Sequence, residues 1–197
     1  MTVPALLVRL LVYGGLLAVS FYLTLHYVGA ERVSGSFFNE TPQNVLLAGL
    51  LIASGLMARL PGVGRAAGLA LVLFFAACAF REFDNELDAL LFDGAWKIPA
   101  FAAGAALLYV VATRWRALTA DLARLGDTLA FGVFTVGLLQ LMVFSRMWGA
   151  NTLWRELMGE GFDRAVARVS EEGIEQMAYV VLFLGVAELY LAARCRS

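Results

Sequence analysis

Arg81-Glu82-Phe83-Asp84-Asn85-Glu86-Leu87-Asp88 closes an apolar run that begins just after Arg65. Charge arriving so abruptly marks where a helix leaves one environment for another. If the helix continues through this stretch, Arg81, Asp84, Asn85 and Asp88 share one face, because residues three and four apart are neighbours. Glu82 and Glu86 then form a second pair on the adjacent face. The spacing predicts a spanning helix over 65–83 that carries its charges out of an apolar zone.

The chain on either side has the same texture. Hydrophobic residues make up 61% of it, charged residues 16%, and the mean hydropathy is +0.76. Soluble domains sit nearer roughly 45–50% apolar and about 25% charged. In 197 residues that excess cannot be hidden in one core, so much of it must face lipid. Working outward, the apolar stretches predict six spans, at 8–28, 42–60, 65–83, 97–113, 128–146 and 174–194. The expected fold class is all-α: a polytopic helical integral membrane protein, one bundle domain over 1–197.

Among the uncharged cores, that at 10–28 approaches the ~20 residues a crossing helix needs, and the others need flanking polar residues to reach across. A signal-peptide core runs to about 7–15 residues, so 10–28 is expected to be a retained helix, with Arg9 snorkelling to the interface. Thr41-Pro42 offers a capping hydroxyl followed by proline at the first helical position, and Pro61-Gly62-Val63-Gly64 reads as a tight turn. A basic loop at 114–126 has room for a short amphipathic helix. In 152–169, Leu153, Trp154, Leu157, Met158, Phe162 and Val166 form a stripe opposite Arg155, Glu156, Arg164 and Arg168. That pattern predicts an amphipathic helix lying on the membrane surface, interrupted at Gly159 and Gly161. Gly14-x-x-x-Ala18, Gly49-x-x-x-Ala53 and the alanines around Gly104 are small-residue seams for close helix packing, and Gln140 is placed to hydrogen-bond between helices.

Charge gives the sidedness. The N-terminus, the loops near 59–66 and 113–127, and the C-terminus carry arginines with only Asp121 and Asp127 as acids. The opposite set of loops carries thirteen of the sixteen acids. Excess Lys and Arg per residue favours the cytoplasmic side, so both termini are expected in the cytoplasm and the acidic loops outside. The compact, loop-poor build fits a bacterial inner membrane, whose outward side is the periplasm.

A second charged burst, Glu171-Glu172-Gly173-Ile174-Glu175, opens the last apolar run. Glu171 and Glu172 each lie one turn from Glu175, and Tyr179 lies one turn deeper. Sidedness puts this burst, Glu40 and the Arg81–Asp88 stretch on the same outward face, where they can meet. Clustered carboxylates repel one another, so they share protons, pair with arginine or bind a cation. Arg81 and Arg146, with Arg155, Arg164 and Arg168, can supply an ion-pair scaffold tying helix ends together. Asp84, Asp88, Glu172 and Glu175 offer oxygen ligands of the kind that suit Mg, Ca or Mn. Glu40, Arg81, Glu82, Arg146, Glu171, Tyr179 and Glu188 are the candidates for holding a polar lipid headgroup or small substrate.

Glu188 falls inside the sixth span, where a charge near the bilayer centre costs roughly 2.5–3.5 kcal/mol. It is either a relay or the partner of Arg9 or Arg59 on a neighbouring helix. His26 is the single histidine, so a triad would have to use it, and the chain has no GxSxG elbow; Glu172-x-x-Glu175 lacks the histidine of the Glu-x-x-His pairs of diiron bundles. There is no phosphate-binding or dinucleotide glycine motif, and a net charge of −1 with no basic run argues against nucleic acid. Cys78 and Cys195 fall at different depths and form no CxxC.

Three function classes remain. One is a membrane binding or structural protein, alone or as a subunit among membrane-protein partners, using the carboxylate–arginine cluster as scaffold or ligand site. The second is a metal-dependent hydrolase or transferase acting on a lipid-linked substrate at the outer interface, with a carboxylate as base and Arg81 or Arg146 holding an anionic group. The third is a transporter of ions or small cations routed past Glu188.

Overall fold

The computed structural model describes residues 3–31 and 40–196, and no strand occurs among them. Ten α-helices follow one another: α1 (Val3–Glu31), α2 (Glu40–Ala58), α3 (Arg65–Glu82), α4 (Asp84–Leu90), α5 (Lys97–Thr113), α6 (Trp115–Leu125), α7 (Leu129–Leu139), α8 (Ser145–Trp148), α9 (Asn151–Met158) and α10 (Arg164–Arg194). A π-helical turn, Gln140–Phe144, joins α7 to α8, and a 3₁₀ turn, Gly159–Gly161, follows α9.

The last helix is the hub. α10 packs against α1, α2, α6, α7, α8, α9 and the π turn, while α2 packs on α3 and α3 on α5. Leu47 and Leu50 of α2, Phe75 of α3, Leu141 of the π turn and Ala178, Tyr179, Leu182 and Val186 of α10 form one buried core. Met57, Val63, Leu125, Ala130, Leu189 and Ala193 form a second one nearer the C-terminus of α10. Small residues set how closely α7 and α10 approach. A Cβ on Gly185 would lie 2.7 Å from the backbone of Phe134, and one on Gly137 would lie 2.9 Å from the backbone nitrogen of Leu182. Gly49 meets the ring of Phe183, as the seam at Gly49 and Ala53 predicts, whereas Gly14 and Gly104 face open space and seat no neighbour.

Among the described residues, length and composition alone identify fewer crossings than six. Two helical stretches, Leu129–Trp148 and Arg164–Arg194, are long and apolar enough to span a membrane. Counting α3 with α4 and α5 with α6 as bent pairs raises the number to four. Pro42–Ala58 and the Leu7–Leu23 part of the 29-residue α1 are further apolar stretches. Outside α1, the shortfall is the one the short uncharged cores foreshadow, since a helix rises only about 1.5 Å per residue.

Two local expectations are corrected. The third helix does not carry straight on: it stops at Phe83, and α4 departs at 63°. The Asp84 side chain takes the N–H of Asn85 at 2.7 Å, the local bonding by which Asp and Asn compete with a helix ladder. Arg81 and Glu82 therefore stay with α3, while Asp84, Asn85 and Asp88 leave with α4. The surface helix expected over 152–169 breaks at the expected interruption, Gly159 and Gly161, but its second half is not a separate surface helix. α9 ends at Met158, where Gly159 takes φ 56°, and Asp163 caps a new helix by accepting the N–H of Ala165 at 2.9 Å. That new helix is α10 itself, which runs 31 residues through Gly173 without interruption.

The amphipathic helix expected within 114–126 is present as α6, turned 85° from α5. Its Asp121 is buried and accepts the backbone N–H groups of Gly64 (2.8 Å), Ala66 (3.0 Å) and Ala67 (3.1 Å), capping α3 from another helix. The Arg196 guanidinium donates to the Arg124 carbonyl. The α2–α3 turn, α6 and the end of α10 thus gather at one end of the bundle, together with the first turns of α1 through Arg9 and Glu188.

Candidate functional site

The opposite end holds the charged residues that the sequence singles out. Arg81 and Glu82 occupy the last turn of α3, and Arg146 sits in α8, just past the π turn. Glu171 and Glu175 lie on the N-terminal half of α10. Arg146 bridges two turns of α10, with Nη1 2.6 Å from Glu171 Oε1 and Nη2 2.5 Å from Glu175 Oε1. Arg81 Nη1 lies 3.4 Å from Glu82 Oε1 and 3.8 Å from Glu175 Oε1. The Tyr179 hydroxyl, one turn below Glu175, donates to Glu82 Oε1 at 3.1 Å. The two charged bursts do meet, and guanidinium groups join them.

Burial differs sharply across this network. The Glu175 side chain is 5% exposed and that of Glu82 9%, against 28% for Glu171, 44% for Arg81 and 49% for Arg146. A buried carboxylate is costly unless it is paired and hydrogen-bonded, so the two inner acids depend on the arginines above them. The arginines keep an open side. A guanidinium has five N–H donors, and the two ion pairs of Arg146 leave others available.

The π turn sits beside these pairs. The Ser145 N–H reaches back five residues to the Gln140 carbonyl, and its hydroxyl donates to the Leu141 carbonyl at 2.6 Å. One side chain thus satisfies an acceptor that the widened turn takes from its usual backbone donor. A π turn also inserts a residue and rotates the next helical turn, which sets the direction in which Arg146 leaves the helix.

Arg81 and Arg146 line a cleft of about 390 Å³, together with Phe74, Ala77, Cys78, Leu141, Met142 and Tyr179. Its lining is largely apolar, with the two half-exposed guanidiniums as its charged groups. A second cleft of about 460 Å³ is lined by Val136, Leu139, Gln140, Phe144, Trp148 and Ile174. Gln140, expected to bond between helices, lies on that wall.

The other candidates stand apart. Glu40 opens α2, and its side chain lies outside what the structure describes. Asp84 bonds within its own turn. Asp88 Oδ1 is buried on α4 with no hydrogen-bond partner among the described residues. Glu172 enters through its carbonyl, which accepts from Gln43 Nε2 at 3.3 Å and ties α2 to α10. Among the described residues no group of three or more His, Cys, Asp and Glu side chains could hold a metal ion, so Asp84, Asp88, Glu172 and Glu175 do not converge as a ligand set. The bend at Phe83 separates them by sending Asp84 and Asp88 away with α4.

Glu188 belongs to the far end. It accepts the Tyr13 hydroxyl at 2.5 Å and lies 3.2 Å from Arg9 Nε, so of its two expected arginine partners Arg9 is the one engaged. His26 stacks beside Tyr22, with ring centroids 6.3 Å apart. Cys78 and Cys195 are free thiols. Sequence reasoning missed the roles of Ser145, Gln43, Tyr13 and the cap made by Asp121. Asp121 had a readable signal, because it falls on the same stripe of its helix as Leu118 and Leu125.

Comparison of the chain with family models, curated proteins and solved structures finds no match.

Proposed function

We propose that this chain is a multi-pass helical membrane protein, crossing six times with both termini cytoplasmic, whose outward end is a binding site for a polar lipid headgroup. It is a binding or structural protein, acting alone or within a larger membrane complex, and the arginine–carboxylate cluster is both the tie between helices and the site.

The observation that carries the site is the cleft. Two half-exposed guanidiniums stand at its polar side over walls made by Phe74, Leu141 and Met142. A ligand suited to it is charged at one end and apolar at the other, as a membrane lipid is. The crossing number draws support from a different fact: the segments that six crossings would place in the cytoplasm gather at one end through Asp121, Arg196 and Glu188. The cluster lies at the other end, where thirteen of the sixteen acids would face outward.

No specific observation favours the hydrolase or the transporter. The carboxylates named for a metal do not assemble, and Glu188 is engaged by Tyr13 and Arg9. The test is thermal melting of delipidated protein in detergent, with and without added phospholipid. The unmodified chain is expected to gain several degrees, and the double variant Arg81→Gln/Arg146→Gln to gain none. An equal gain in both would remove the cleft as the site.

A further inference from the structure

We propose that the headgroup taken by the Arg81–Arg146 cleft is a phosphodiester carrying a primary amine, as in an ethanolamine phospholipid. The inference rests on the headgroup reading above and narrows it by charge and donor arithmetic.

Arg81 and Arg146 both lie within 3.8 Å of one oxygen, Glu175 Oε1, so their guanidiniums stand side by side over the cleft. Two adjacent guanidiniums with spare donors fit a phosphate, whose oxygens accept such forks well. Yet the cluster as a whole is not cationic. Glu82, Glu171 and Glu175 set three negative charges against two positive ones. A bare anion gains little from such a site, because its attraction to the arginines is offset by three carboxylates. A zwitterion is complementary to both parts: phosphate to the arginines and ammonium to the carboxylates.

Glu171 does not itself line the cleft, but it bonds Arg146, which does, and so is the carboxylate assigned to that ammonium. It is the most exposed of the three, and one of its oxygens already bonds Arg146. A carboxylate accepts more than one hydrogen bond, so an ammonium can share it with the arginine. A quaternary ammonium has no N–H to offer and is held instead by aromatic faces. The aromatic residues of the cleft are Phe74 and Tyr179, and Tyr179 is buried with its hydroxyl on Glu82, so no cage is formed. That arrangement selects ethanolamine over choline. The acyl chains then follow Leu141 and Met142 along the apolar wall.

Native mass spectrometry of the delipidated full chain tests this, titrating in phosphatidylethanolamine, phosphatidylglycerol and phosphatidylcholine with identical acyl chains. Phosphatidylethanolamine is expected to bind about tenfold more tightly than either competitor, the scale of one added charge-assisted hydrogen bond. Glu171→Gln is expected to erase the preference over phosphatidylglycerol while leaving phosphatidylglycerol bound at least as well, a switch that mere loosening of the fold would not produce. Equal or tighter binding of phosphatidylglycerol or phosphatidylcholine by the unmodified chain would overturn the amine assignment and leave the headgroup site standing. No binding of any of the three would overturn both. If Glu171→Gln fails to fold, the ranking by the unmodified chain decides alone.

Discussion

Arg146 Nη2 lies 2.5 Å from Glu175 Oε1, across 29 positions of sequence, closer than Arg81 comes to that buried carboxylate. The pair joins a half-exposed guanidinium to an acid that the protein has almost wholly removed from water. Its worth therefore lies between that of an exposed pair, about 0–1 kcal/mol, and that of breaking a buried one, about 3–5 kcal/mol.

Arg146→Gln is accordingly expected to destabilise the protein by about 2 kcal/mol, because Glu175 keeps only the more distant Arg81. The double variant Arg146→Gln/Glu175→Gln should recover part of that loss, since the stranded charge is gone. Thermal melts of the single and double variants in one detergent measure the coupling. Strict additivity would show that the two side chains do not act as a pair.

Asp121 offers three backbone N–H groups a carboxylate at the start of α3. Asp121→Ala leaves those donors without it and is expected to cost about 2 kcal/mol, with Asp121→Asn in between because one accepting oxygen remains. Chemical denaturation of the three forms checks the order. No loss in the alanine form would mean that the cap is redundant.

The small residues separate into two kinds. Gly185→Ala drives a methyl group onto the backbone of Phe134 and is expected to cost about 1–3 kcal/mol, as overpacking does. Gly14→Ala meets nothing and should be neutral or stabilise by up to about 1 kcal/mol, because alanine suits a helix better. Equal effects on the melting temperature would contradict the packing of α7 on α10.

At the π turn, Ser145→Ala removes the hydroxyl that holds the Leu141 carbonyl. Faster amide hydrogen exchange is expected over 140–148, with little change over 65–82, at a cost of about 1 kcal/mol. Unchanged exchange near Arg146 would show that the hydroxyl does not hold this turn.

Much of this was legible in the residues themselves. The apolar stretches are helices, Thr128 caps α7 where the fifth span was expected to begin, and the Arg81 and Glu171 bursts meet, as was expected of them. The bend at Phe83 was not legible, because helical spacing alone carries Asp84 and Asp88 onward in line with Arg81. The ligand set drawn from those acids inherited that error. The start of α10 at Arg164 was hidden in the same way: an amphipathic stripe reads as a surface helix, yet packing against seven other segments makes it part of the last helix. The π turn has no sequence period of its own and shows only in which carbonyl each donor chooses.

The measurement that tests the central claim most directly is the sidedness of the two ends in a native membrane. In a background with Cys78→Ser and Cys195→Ser, single cysteines are introduced as Glu86→Cys, Glu160→Cys, Arg116→Cys and Arg194→Cys, all at exposed positions. An impermeant maleimide applied to intact cells should label the first two, and should reach Arg116→Cys and Arg194→Cys only after permeabilisation. Labelling of all four from one side, or recovery of the protein in the soluble fraction, would contradict a membrane-crossing bundle with its arginine–carboxylate end outward.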